Sequence, residues 1–407
     1  MGTTAADRLT PDTGLTPDTR VFLDHAATTP IRPAVLELVI DTMRLGGNAS
    51  SLHAAGRAAR RIVEQSREQL AAALRANPSE VVFTASGTEA NNLALKGLFW
   101  AARDADPRRR VILTSGVEHH AVLDPVRWLA AHEGCEVVYL AVDREGRVDP
   151  AQVREILLDR ADEVALVSVM WANNEVGTLN DVKDLAHTCA QFGVLFHTDA
   201  VQAVGSVPVA VDEVRPDALT LSGHKLGGPI GVGALLLRRD LRPVALLHGG
   251  GQERSVRSGT LDAPHIAGLA LAVELAVAEQ PAYASRVGQL RDLLITGVQQ
   301  VVPDAVLNGA PGSGRLPGNA HLTFPGCEGD ALLMLLDAAG IMCATGSACQ
   351  AGVPEPSHVL LAMGRDERSA RGSLRFSLGR SSQERDVDAL IDALPGVVAR
   401  ARRAGQR

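Results

Sequence analysis

Lysine is almost missing from this chain of 407 residues: Lys96, Lys183 and Lys225 are the only three, and the other 37 of its 40 basic side chains are arginines. A positive surface built from guanidinium groups makes each lysine a candidate for what arginine cannot do, which is to lose its proton and attack a carbonyl carbon. Cysteine is scarce as well. The five (Cys135, Cys189, Cys327, Cys343 and Cys349) are odd in number, scattered and without a CxxC pair. That speaks against a disulfide framework and a structural zinc site, and fits a reducing compartment. No apolar run reaches the length of a bilayer span, since even "IAGLALAVELAVAE" is broken by Glu274. The first twenty residues lack a secretory apolar core, and Ala6 stands where a myristoylation signal needs Ser or Thr. Residues 1–20, with their duplicated Thr-Pro-Asp-Thr, are therefore expected to form a mobile leader, and the cytoplasm is the expected address. A net charge of -7 with dispersed basic residues argues against a nucleic-acid groove or a polybasic membrane patch. Neither GxGxxG nor GxxxxGK[ST] occurs, which weakens dinucleotide and P-loop readings.

What is present is an alternation. From about residue 78, the runs "VVFTAS", "RVILTS", "CEVVYL", "EVALVSVM", "VLFHTD", "DALTLS" and "GVGALLL" are separated by helix-length stretches. Continuous apolar strands of this kind predict an α/β fold whose largely parallel sheet is covered by helices on both faces. After Pro264 the pattern changes to a long amphipathic helix over about 265–300, then a mixed region, ending in "ERDVDALIDALPGVVARARR". The expected organisation is a large domain at 46–264 and a smaller α+β domain at 265–400. The segment 21–45 is expected to complete the small domain, and 401–407 to form a tail.

Polar residues cluster just past the ends of the predicted strands, where open α/β sheets bind ligands. Lys225 lies there in "LSGHKLGGPIGVGALLL". A lysine that forms a Schiff base with an aromatic aldehyde such as pyridoxal phosphate needs a phosphate cradle, a carboxylate for the pyridinium nitrogen, a flat partner for the ring and a donor for the phenolic oxygen. "TASGTEANN" offers Gly87 and Thr88 at a helix start, suited to a phosphate. Asp199 ends "FHTD" and Gln202 follows it, while "GVEHHAV" supplies His119 and His120 as ring partners. Each has a plainer reading as a helix cap or a structural histidine, and the adjacent histidines lack a third ligand at metal spacing. In "CATGSACQAGVPEPSHVL", small residues surround Cys349 and prolines forbid a continuous helix, which suits a thiol that must travel. Cys343, just after an apolar stretch, reads as its structural, buried counterpart.

Nine blocks in order then resemble one family: "LDHAATTP", "SGTEANN", "EHHAVLD", "NNEVG", "HTDAVQAVG", "SGHK", "HGGGQERSVRSGT", "GSAC" and "LRFSLGR", spanning about residues 21–395. They are similar to the group I cysteine desulfurases of the NifS/IscS type. The resemblance implies a fold-type I pyridoxal 5'-phosphate enzyme, normally a homodimer, that converts L-cysteine to L-alanine and leaves sulfur as an enzyme persulfide. It implies Lys225 as the Schiff-base lysine, His119 as ring-stacking acid/base, Asp199 as pyridinium partner, and Asn174 and Gln202 beside the phenolic oxygen. Gly87, Thr88, Ser222 and His224 match the phosphate shell, with Thr260 reaching in from the other subunit. Arg375 matches the substrate-carboxylate arginine, and Cys349 the persulfide former on a loop at about 343–357. Sulfur acceptors such as an iron–sulfur scaffold or a tRNA-thiolation enzyme are the implied partners. Two rivals share the fold: a selenocysteine lyase or aminotransferase, which would not need "GSAC", and a non-catalytic scaffold, which could lose Lys225 or Cys349. The chain departs from the family's usual Asn-Pro-Ser-Ser where it reads "GNASSLH", around Asn48.

Overall fold

A computed structural model of the chain describes residues 20–346 and 356–404. Cys349, the leader as far as residue 19 and residues 405–407 therefore lie outside the described residues. The strands, in chain order, are β1 (Val21–Phe22), β2 (Val81–Thr84), β3 (Val111–Ser115), β4 (Glu136–Leu140), β5 (Val164–Ser168), β6 (Leu195–Asp199), β7 (Ala218–Ser222), β8 (Gly233–Leu237), β9 (Val306–Asn308), β10 (Asn319–Thr323), β11 (Ile341–Met342) and β12 (Ser373–Ser377).

Seven of them build one sheet in the order β2-β8-β7-β6-β5-β3-β4. Only β8 runs against its neighbours; the others are parallel. All five residues of β3, β5, β7 and β8 are buried, as expected where helices cover both faces of a sheet. β4 closes one edge and leaves Glu136 and Tyr139 exposed. The carboxyl ends of β3, β5, β6 and β7 face one side of the sheet, so the turns that follow them converge. This is the α/β architecture of fold-type I enzymes.

The helix Ala263–Val301 joins two cores. Its first half buries Ile266, Leu269 and Val273 with the large sheet. Beyond Pro281, Val287, Leu290, Leu294 and Val298 pack into a second core with Phe324, Leu374 and Phe376. That second core is backed by the antiparallel sheet β12-β10-β9 and the helix Glu384–Ala404. Phe376 is wholly buried, and truncation to Ala would cost about 3–5 kcal/mol.

The N-terminal segment is shared between the two cores. β1 pairs with β11 and Leu23 enters the second core, whereas the helix Pro33–Leu45 turns its Val35 and Val39 into the first. At the other end, the last helix passes residue 400 because Val397, Val398 and Ala401 are buried and hold its final turns.

Candidate active site

β7 ends at Ser222 and a single tight turn, Gly223–Lys225, carries the lysine over the carboxyl edge of the sheet. Its Nζ donates to the carbonyl oxygens of Ala26 and Ala27 at 2.6 and 2.7 Å. Burial, with the positive charge of Arg375 added, lowers the amine to a pKa of about 8. Lys225 lines a cavity of about 490 Å³, ample for a cofactor-sized ligand.

Asp199, the last residue of β6, enters the cavity from below with its carboxylate held twice. Asn91 donates to Oδ2 at 2.7 Å and the Val201 amide to Oδ1 at 2.9 Å. His119 caps the helix His120–Glu133, its Nδ1 accepting from the Ala121 amide at 3.0 Å. That bond places the neutral ring's proton on Nε2, and burial keeps the ring below its ordinary pKa. His120 turns instead towards Asp124 along its own helix and meets the His358 ring at 4.9 Å.

Gly87 opens an unbroken helical run to Ala105, beneath a Ser86 cap. A Cβ on Gly87 would sit 3.1 Å from Val201 and 3.3 Å from Ser222, so glycine keeps the helix N-terminus and the Ser222 turn side by side. Thr88 and His224 line the same wall, and burial, helped by Lys225, brings the His224 ring to about 4.

Arg375 comes from β12. One terminal nitrogen donates to the Asn174 carbonyl at 3.0 Å and the other pairs with Asp24 at 2.8 Å. Its main chain exchanges two hydrogen bonds with Ala344, at 3.2 and 2.7 Å. The strand holding the arginine therefore also anchors the chain that leads into the cysteine segment. Gly346, at φ +86°, leaves this anchor where an added Cβ would stand 3.1 Å from His321 Nε2, which glycine alone tolerates. At the far end of the segment, Ser357 donates to Glu175 at 2.5 Å and His358 Nε2 donates to the Glu118 carbonyl at 2.9 Å.

The cavity thus brings together Lys225, His119, Asp199, Gly87, Thr88, Asn174, Gln202, Ser222, His224 and Arg375. The Gln202 amide nitrogen donates to the Ala26 carbonyl at 2.9 Å, the same oxygen that Lys225 uses. Thr260 is exposed and is not among the residues that line the cavity of its own chain. Asn91, Asp24, Glu175 and His358 were not singled out from the sequence, although the first three stand in the quoted blocks. The spacing of Asn91, four residues from Gly87 on one helix face, was the available signal. Cys343 is buried and its thiol is pushed up to about 12, so it stays protonated.

The donor set suits one group: an amine poised to lose its proton, a doubly held carboxylate, a flat imidazole and a glycine-walled helix start. Comparison with known proteins agrees. Residues 21–390 match the family described as aminotransferase class-V. An IscS-like cysteine desulfurase of Mycobacterium tuberculosis is 57% identical over 94% of this chain and 97% of its own. The chain belongs to the cysteine desulfurase group of class-V aminotransferases. It is accordingly a pyridoxal phosphate enzyme. A solved NifS-like protein superposes with a TM-score of 0.85 at 36% identity, covering 93% of this chain and 99% of the other. SspA, solved in complex with cysteine, does so with 0.76 at 33% identity over 88% and 98%.

Proposed function

We propose that this enzyme is a cysteine desulfurase whose cavity takes L-cysteine, releases L-alanine and leaves the sulfur on Cys349 as a persulfide. The observation that carries this reading is the meeting of Lys225, at a pKa of about 8, with Arg375, beside the point where Gly346 leads into the cysteine segment. Two residues separate Gly346, which lines the cavity, from Cys349, so the thiol's tether begins at the cavity wall. The cysteine complex of SspA supports the choice of substrate.

Lys225 would hold the cofactor's aldehyde end, Asp199 its ring nitrogen, and Gly87, Thr88, Ser222 and His224 its phosphate. Asn174 and Gln202 would flank the phenolic oxygen. When bound, the cofactor supplies a carbonyl that condenses with amines and a ring that withdraws electrons. The rest belongs to the protein. Arg375 fixes the substrate carboxylate with its planar fork. The Lys225 amine, once free, takes the proton from the substrate Cα, and His119 Nε2 moves protons in the same cavity. The Cys349 thiolate attacks the substrate sulfur. An S–S bond forms, the C–S bond breaks, and its electron pair stays on carbon to become a C–H bond of alanine.

The active form is a homodimer in which Thr260 completes the partner's phosphate site, a reading supported by its exposure away from its own cavity. The exposed apolar stripe Leu36, Ile40 and Met43 on the helix Pro33–Leu45 gives such a dimer something to cover. The persulfide passes to an acceptor protein of iron–sulfur cluster assembly or tRNA thiolation in the cytoplasm. Feeding the holoenzyme cysteine, cysteine sulfinate and selenocysteine separately tests the reading. Alanine and persulfide from cysteine support it; turnover confined to selenocysteine, or transamination without sulfur release, contradicts it.

A further inference from the structure

Between the glycine run at 249–251 and Thr260 the backbone does something unusual. Glu253, Arg254 and Ser255 all have positive φ, at 45°, 60° and 62°. None is glycine, and three consecutive L-residues in the left-handed region form a turn that local preference opposes. Something outside the turn must hold it.

The holder is Glu253. Its side chain is buried, and it takes the Arg67 guanidinium on both oxygens at 2.6 and 3.0 Å. Oε2 also accepts the Phe83 amide of β2 at 2.8 Å. Arg67 in turn donates to the Val81 carbonyl of β2 at 2.7 Å. Glu253 and Arg67 thus occupy outward-facing backbone groups of the sheet's edge strand. The turn is thereby fixed to the edge of the main sheet.

From there the chain is steered rather than left free. Gly259 donates its amide to the Gln252 side chain at 3.0 Å. Arg257 pairs with Glu89 at 2.8 Å, and Glu89 accepts the Ala85 amide at 2.6 Å in the turn that opens into Gly87 and Thr88. The segment ends with Thr260 presented on the surface.

We propose that Glu253 is a positioning residue for the neighbouring subunit's cofactor site: by clamping the left-handed turn to β2 it sets the course on which Thr260 is delivered to the partner. This rests on the homodimer reading above. A simpler role as a cap for the sheet edge would act within its own chain; delivery acts across the dimer. The two differ in which site suffers.

The test uses heterodimers of full-length chains, purified with two tags and loaded with pyridoxal phosphate. Lys225→Ala in one chain leaves one covalently held, coloured cofactor per dimer, in the other chain. Release of that cofactor is followed by absorbance after dilution into a trap. With Glu253→Gln on the Lys225→Ala chain, across the dimer from the coloured site, release should quicken about tenfold, the size of one lost charge-assisted contact. With Glu253→Gln on the chain holding the coloured site, it should stay within about twofold of the parent. Thr260→Ala is run in both placements and should show the same asymmetry. If Thr260→Ala has no effect across the dimer, the homodimer reading fails. If Thr260→Ala acts across the dimer but Glu253→Gln acts only within its own chain, equally in both placements or not at all, the positioning role is wrong. Should the Glu253→Gln chain fail to assemble, Arg67→Lys, which keeps the charge and loses the fork, replaces it under the same criterion.

Discussion

Arg375 and Asp24, 351 positions apart in the chain, form a 2.8 Å ion pair at the cavity wall. The arginine assigned to the substrate carboxylate is thus already holding a carboxylate of the protein. Two anions share one guanidinium. Asp24→Asn keeps an acceptor for the arginine and removes the competing charge. The expected result is a KM for cysteine lowered about 3–10-fold, with kcat changed less; a raised KM would show that Asp24 organises Arg375 rather than competing with substrate.

Lys225 gives the site a pH dependence of definite sign. Burial and Arg375 bring its amine to about 8, so the reactive neutral form grows as pH rises through that value. Cofactor uptake by the apoenzyme, followed as growth of the covalent chromophore, should speed up from pH 6 and level off above about pH 8–9. A profile still rising at pH 10 would place the amine at an ordinary lysine value. Lys225→Ala should abolish both the chromophore and alanine formation.

Asn91 supplies one of the two N–H donors on Asp199. Asn91→Ala leaves that carboxylate with one of its two donors and should weaken cofactor affinity about tenfold. Asn91→Asp, which sets a second negative charge against Asp199, should weaken it further. Titration of apoenzyme with pyridoxal phosphate measures both.

Glu118 is fully buried, accepts from Ser115 at 2.6 Å and the Met170 amide at 3.0 Å, and has one oxygen without a partner among the described residues. Burial raises its pKa to about 8. The folded state therefore holds a proton that the unfolded chain releases near pH 4.5. This contribution is intact below that value, declines as pH rises, and reaches its full penalty above about 8. Glu118→Gln should accordingly raise Tm more at pH 8 than at pH 5. Equal Tm changes at the two pH values would mean that the carboxyl titrates normally.

The seven runs read as strands are the seven strands of the main sheet because each is a continuous β-rich segment, and all but the edge strand β4 are almost wholly buried, a local property. The positions around Lys225, His119 and Asp199 follow from the same logic, since strand ends carry the ligand-facing turns of an open α/β sheet. What the sequence hid is non-local. The Asn91–Asp199 contact joins residues 108 apart, and the Asp24–Arg375 pair crosses nearly the whole chain. Nor does the periodicity of Ala263–Val301 reveal that its two halves serve different cores, because an apolar stripe records that a face is buried and not what buries it. The left-handed turn at Glu253 escaped for a further reason: three non-glycine residues carry no local signal for positive φ.

The most direct test follows the sulfur through one turnover. Holoenzyme is mixed with less than one equivalent of labelled L-cysteine and quenched; alanine is counted, and peptides are mapped for one added sulfur atom. The mechanism requires one alanine per added sulfur, with the sulfur on the peptide bearing Cys349 and absent from Cys349→Ser, which should still bind cofactor and cysteine. Alanine formed while the sulfur rests on Cys343, or on no cysteine at all, would contradict it.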